Sequence, residues 1–226
     1  MSARADISTS RAYTYLVSFV RIGLVEQNET SGQYDLGENA LQLGISALTR
    51  SDIIELAREA IIECRNRTGA TVFLSLFGNM GPAVVYSIQG AYPVTVQVRA
   101  GSVLPIIGSA TGNIFLAYLD DEATAPHIKR EAGFTNQNVD ALDKNIKDIR
   151  ACVLRDGFST IQGGLVAEVS GIAAPIFDHE NRLSAVMTMI GSKGMFDVSH
   201  EGENAQILNE IAKKVSFRMG ANTSKV

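Results

Sequence analysis

With 226 residues, 46% of them hydrophobic and 19% charged, the chain has the make-up of an ordinary folded protein: one large domain, or a small one plus a medium one. A net charge of −4 excludes a broad basic surface that wraps nucleic acid, but not a small local DNA contact. No apolar run reaches the roughly 18 residues of a membrane span, and no apolar stretch follows the charged opening "MSARADISTS" as a secretory signal requires. The expectation is a cytoplasmic protein with no membrane partner. Cys64 and Cys152 lie far apart without CxxC spacing and are expected to be reduced core thiols.

In chain order, Ser8 is placed to cap a helix running to about Ile22, because its hydroxyl can accept from first-turn amides. Ala12, Leu16 and Phe19 recur at helical spacing, and Gly23 ends the helix. "LVEQN" and "QYDL" flank "ETSG" and predict a β-hairpin that turns at Gly32. Leu41, Leu43, Ile45 and Leu48 predict a further helix weakened by Gly44, which costs about 1 kcal/mol relative to Ala. A stronger helix follows from Ser51 or Asp52, with Ile54, Leu56, Ala57, Ala60, Ile61 and Cys64 favouring one side. A domain boundary is expected near residue 50.

Beyond it, "ATVFLSLF", "AVVYSIQ" and "VTVQVR" predict strands, and "SATGNIFLAYL" a helix after the loop "GSVLPIIG". "QNVDALDKNIKDIRACVL" predicts a helix burying Val139, Leu142, Ile146, Ile149 and Val153. "AEVSGIAAPIFD" and "LSAVMTMIG" predict antiparallel strands joined by "HENR". A last helix buries Ile207, Leu208, Ile211, Ala212, Val215 and Met219. Hairpins mixed with helices predict an α+β fold rather than a doubly wound nucleotide-binding one.

Catalytic patterns are absent from the sequence. His127, His179 and His200 are scattered, "DHEN" lacks metal-ligand spacing, "GSATGN" has no Lys after its last Gly, and no GxSxG elbow occurs. Neither an enzyme nor a metal or cofactor is expected. One feature suggests binding. The amides of Ala110, Thr111 and Gly112 open a helix whose positive end favours an anion, with Leu104, Ile106 and Ile107 as apolar walls. A greasy cavity with a few donors suits a small organic carboxylate. Equally, Ser109 is a simple cap and the apolar residues are core. Thr188 and Ile190 share one side of a strand, with Gly171 on its neighbour; core packing is the plainer account of these three.

At the front, a helix led by small polar and basic residues and followed by a hairpin is what a winged helix-turn-helix presents to DNA. Thr9, Ser10, Arg11 and Thr14 occupy the leading side, and Tyr13 and Tyr15 are further phosphate contacts. From Met1 to Leu36, Arg4, Arg11 and Arg21 stand against Asp6, Glu26, Glu29 and Asp35, so nonspecific attraction to DNA is weak.

"STSRAYTYLVSFVRIGLVEQNETSGQYDLGENALQLG" resembles the recognition helix, wing and linker start of the IclR family of bacterial transcription regulators. In the family's order, similar stretches follow: "VRAGSVLPIIGSATGNIFLAYL", "VLRDGFS", "GIAAPIFDHENRLSAVMTMIG" and "IAKKVSFRMG". The resemblance implies a partial winged helix-turn-helix over 1–36, short of the family's first helix, and a linker helix over 37–50. A GAF-like effector-binding domain with a central antiparallel sheet is then expected over 51–226. It implies a homodimer or homotetramer that binds operator DNA and a small organic acid, aromatic acids included. Carried over, the DNA contacts fall on Thr9, Ser10, Arg11, Thr14, Gln33 and Tyr34. The effector contacts fall on Leu104, Ala110, Thr111, Gly112, Ile161, Gly171, Thr188 and Ile190. Ile161 stands where members commonly carry a polar or acidic side chain, and Asn113 replaces the usual Lys. The expected pocket is therefore roomier and greasier, suited to a bulkier or aromatic ligand. The alternative is a metabolite-binding module that lacks autonomous DNA binding and works through protein partners.

Overall fold

The computed structural model describes residues 8–43, 53–91, 98–135, 139–163 and 166–222. They belong to two compact units, Met1–Ser51 and Asp52–Val226.

In the first unit, helix α1 (Thr9–Arg21) is capped by Ser8, whose side chain accepts from the Arg11 amide. It ends in a double turn: the Gly23 amide donates to the Val20 carbonyl and the Leu24 amide to the Phe19 carbonyl. Gly23 sits at φ +69, a conformation glycine adopts without strain. Strands β1 (Val25–Gln27) and β2 (Tyr34–Leu36) pair antiparallel, Val25 opposite Leu36 and Gln27 opposite Tyr34. Asn28 Oδ1 accepts from the Thr30 and Ser31 amides and sets the loop. The hairpin is tied back to the helix end. The Gly37 amide donates to the Leu24 carbonyl, the Asn39 amide to Gly23, and the Asn39 side chain to Ile22. A Cβ at Gly37 would collide with the Gly23 carbonyl oxygen, so the close approach needs glycine there. Residues 38–43 are helical; Ile45, Leu48 and the rest of the expected linker lie outside the described residues.

In the second unit, the described residues form an antiparallel sheet of five strands in the order β4-β3-β7-β6-β5. Its strands are β3 (Thr71–Gly78), β4 (Gly81–Ile88), β5 (Ser159–Gln162), β6 (Val169–Phe177) and β7 (Leu183–Ser192). Helices α2 (Ile53–Thr68) and α6 (Glu203–Arg218) cover one face. There Ala57, Ile61 and Cys64 meet Val72, Leu74, Ile172, Met187 and Met189, together with Leu208, Ile211 and Val215. Each Val, Ile, Leu or Met among them contributes about 1.5–3 kcal/mol by leaving water. On the other face lie α3 (Ala110–Tyr118) and α5 (Val139–Asp156), where Ile114, Phe115 and Val153 pack on Ala173 and Val186. Helix α4 (Asp121–Thr135) closes a smaller cluster of Ile106, Leu116, Ala132, Leu142 and Ile146.

Several expectations are corrected. Helix α4 and the edge strand β5 are not predicted from the sequence, yet both form. Asp120 Oδ1 caps α4 by accepting from the Ala123 amide, and the helix accommodates Pro126 within its second turn. Cys152 is exposed rather than a core thiol, whereas Cys64 is buried, its pKa pushed up to about 12 by that burial. Residues 94–97 of the expected strand "VTVQVR", and the Val139 side chain, lie outside the described residues.

Candidate functional site

The site grows from the sheet register. Cross-strand pairing sets Ile161 opposite Gly171 and Gly171 opposite Ile190, while Thr188 faces Ala173 on one side and Phe73 on the other. Side chains repeat with period two along a strand, so Phe73, Gly171, Thr188 and Ile190 share the face opposite α2 and α6. Over this face runs the loop that leads into α3. The Glu131 carboxylate of α4 pins it, accepting from the Ile106 amide at 2.8 Å and the Ile107 amide at 2.9 Å.

Ser109 caps α3: its Oγ accepts from the Gly112 amide at 2.9 Å and donates to the Pro105 carbonyl at 2.6 Å. Among the described residues, no acceptor meets the amides of Ala110 and Thr111, the two first-turn donors left over. Between loop, helix start and sheet is a cavity of about 120 Å³. Leu104, Pro105, Gly108, Ser109, Ala110 and Thr111 line it from above; Phe73, Ile161, Gly171, Thr188 and Ile190 line it from the sheet. Val98, Val166 and Val169 complete its rim. No charged side chain is among these residues. The polar groups are the Thr111 and Thr188 hydroxyls, buried and sharing a hydrogen bond of 2.8 Å, and the free end of α3.

The structure thus brings together Leu104, Ala110, Thr111, Ile161, Gly171, Thr188 and Ile190 of the eight expected effector contacts. Gly112 is not among them. It packs against the loop, where a Cβ would collide with the Ile106 carbonyl oxygen, and its amide belongs to Ser109. Ile106 and Ile107 are not walls either; Ile106 is fully buried beside Leu116 and Leu142. Ser109 is therefore a cap and a lining residue at once. Asn113 donates to Ser159 Oγ at 3.0 Å and turns away from the cavity, while its own Oδ1 is buried without a partner. Phe73, Val98, Val166 and Val169 are missed by the sequence reading. The alternation in "ATVFLSLF" separates Phe73 from Val72 and Leu74, but only the register sets it opposite Thr188.

In the first unit, Thr9, Ser10, Arg11, Thr14, Gln33 and Tyr34 are all exposed. Thr14 Oγ1 donates to the Ser10 carbonyl and Ser18 Oγ to the Thr14 carbonyl, which holds this polar row on the helix. Of the expected apolar stripe, Ala12 is buried and Leu16 half-buried, while Phe19 is exposed. His127 is buried edge-on to Phe77, and burial, followed by the Arg130 charge, lowers its pKa. No cluster of three or more His, Cys, Asp or Glu able to hold a metal occurs among the described residues. No helix among them is long and apolar enough to cross a membrane.

The chain thus holds a helix–hairpin unit and a helix-covered antiparallel sheet with an apolar cavity at a helix start. Residues 45–217 match the bacterial transcriptional regulator IclR C-terminal family, and the chain belongs to the IclR family. Its members are DNA-binding regulators rather than enzymes. The chain is similar to the crystal structure of Pseudomonas aeruginosa HmgR: 32% identity, TM-score 0.84, covering 98% of this chain and 88% of that one. It is 24% identical over 225 residues to the HTH-type transcriptional regulator KdgR of Escherichia coli (strain K12), covering 97% of this chain and 84% of the relative. The structure of the Agobacterium tumefaciens repressor BlcR shares the fold at 19% identity and TM-score 0.76, covering 96% and 86% of the two chains.

Proposed function

We propose that the protein is a cytoplasmic, ligand-responsive transcription regulator whose GAF-like body takes one small organic acid, with aromatic acids favoured, in the cavity at the start of α3. Its occupancy alters binding to operator DNA by the first unit, whose helix and hairpin act as the reader and wing of a winged helix-turn-helix in a homodimer or homotetramer. The domain division is 1–36, 37–50 and 51–226, with the helices around residues 37–64 carrying the coupling.

One observation carries this reading. Seven residues scattered between Leu104 and Ile190 in the sequence converge on one apolar cavity, lined also by the start of α3, where two amides have no protein acceptor among the described residues. With no charged side chain in the lining, a carboxylate would be met by those amides and the positive end of α3. An engineered apolar cavity of roughly 150 Å³ holds one benzene, so about 120 Å³ suits a single ring or a short branched chain. Thr9, Ser10, Arg11 and Thr14, with Gln33 and Tyr34 on the wing, are the proposed DNA contacts, supported by their exposure on one helix and one hairpin.

A thermal-shift screen of single-ring carboxylates tests the pocket. Thr111→Leu fills the cavity and should abolish stabilisation by the best acid, and Thr188→Val, a smaller change, should weaken it. If Thr111→Leu folds and responds as the parent does, the acid binds elsewhere. Selection of DNA fragments on the full chain should return two related half-sites, as a dimer reads them. The same acid must change affinity for that sequence, since a ligand that favours neither arrangement shifts nothing.

A further inference from the structure

A larger cavity, about 430 Å³, lies at the far end of α3. It exists because β5 is short. β5 pairs with β6 only from Ser170 to Ala173, and beyond that point no strand among the described residues lies beside the outer edge of β6. The edge is closed to strand addition: Pro175 has no amide hydrogen, and the Phe177 amide donates to Ser216 Oγ at 3.0 Å. What remains is a cleft with two kinds of wall. Tyr118, Leu154, Pro175 and Phe177 form an apolar one, Tyr118 standing edge-on to Phe177 with centroids 5.0 Å apart. Asn209, Lys213 and Ser216 form a polar one, at i, i+4 and i+7 along α6 and hence on one face.

The charges in the cleft are unevenly spent. Asp156, the one acid lining it, is taken up: Oδ1 receives Arg155 Nε at 2.7 Å, and Oδ2 receives Arg155 Nη2 at 2.9 Å with His200 Nε2 at 3.1 Å. Lys214, next along α6, pairs with Glu210 at 2.7 Å. Lys213 has no carboxylate within ion-pair distance among the described residues. Nor do the Asn209 amide and the Tyr118 hydroxyl, both lining the cleft, have a hydrogen-bond partner among them. Burial raises the Tyr118 pKa, so the phenol stays a donor.

We propose that this cleft is a second ligand site, independent of the cavity at the start of α3, and that it takes a small aryl monocarboxylate. The carboxylate faces Lys213 and Asn209, and the ring lies along Leu154, Pro175 and Phe177. One unpaired cation matches one negative charge; a phosphate dianion would be left half-compensated. Because Ala110 and Thr111 line the first cavity and Tyr118 the second, the nine-residue helix α3 spans the distance between two bound molecules.

The test is a ¹⁹F NMR titration of the full chain labelled with 3-fluorotyrosine, the Tyr118 line being assigned with Tyr118→Phe. Benzoate should shift that line saturably. Lys213→Gln, at an exposed position, should weaken the titration about tenfold or more, as loss of a charge-assisted hydrogen bond implies. Benzyl alcohol should leave the line in place, phenyl phosphate should bind more weakly than benzoate, and Thr111→Leu should leave the benzoate response intact. A Tyr118 line unmoved by benzoate, equal affinity in Lys213→Gln, or an equal response to benzyl alcohol overturns the site. Tighter binding of phenyl phosphate overturns the monocarboxylate assignment. Loss of the response in Thr111→Leu would mean a single acid site, at the first cavity.

Discussion

The helix–hairpin unit is held by backbone and cap hydrogen bonds gathered around Gly23, Gly37 and Asn39, and leaves Val17, Phe19, Val20 and Ile22 exposed. The sensing body instead buries Leu74, Ile172, Met187, Met189, Leu208 and Ile211 completely between its sheet and helices. Polar ties contribute about 0.5–1.5 kcal/mol each in water, whereas a core of this size accumulates many terms of about 1.5–3 kcal/mol. The contrast teaches that this chain has one unit stable by volume and another stable by geometry, and the second should open first.

Three measurements press on that contrast. The largest effect belongs to Leu208→Ala, which empties a fully buried position on α6 and should cost the body about 2–5 kcal/mol in urea denaturation. Amide exchange in α1 should be unaffected; if it accelerates in step, the two units do not open separately. Ser8→Ala comes next. Losing the cap of α1 should cost about 1 kcal/mol, read as faster exchange of the Arg11 amide with no change in the body's melting. The smallest effect concerns pH. Burial first, and the Arg130 charge second, favour neutral His127, so the unfolded chain binds the extra proton more readily. This contribution is complete above the unfolded value of about 6.5 and is lost as pH falls below it toward the lowered native value. His127→Gln should flatten the pH dependence of the body's stability in that window and leave that of α1 exchange unchanged.

What was legible in the sequence follows the same division. α1, its Ser8 cap, the Gly23 stop and the Gly32 turn are local devices, each announced by one or two residues, and each is found where the spacing puts it. The buried stripes of α2 and α6 were equally plain, because helical periodicity repeats over many residues. Helix α4 was hidden by Pro126 and by weak amphipathicity, and β5 by its four-residue length within a run of Gly, Ser and Gln. The cavity was half visible. Thr188 and Ile190 declare a common side through alternation, but Phe73 and Val169 reach the same space only through strand register, which no local pattern encodes. Gly112 was misassigned because a first-turn position was equated with a free amide. The Ser109 hydroxyl had already claimed it.

Glu131 offers a single carboxylate to two consecutive amides, at Ile106 and Ile107, and so anchors the entrance to α3 from outside the cavity. Under the proposed function this has a consequence for selectivity. A loop fastened at those two amides has less freedom to remould around successive guests, so the shape of a guest counts for more in whether it is accepted. Motion that reports a guest's arrival is then expected chiefly in the sheet side or in α3 rather than at the fastened pair.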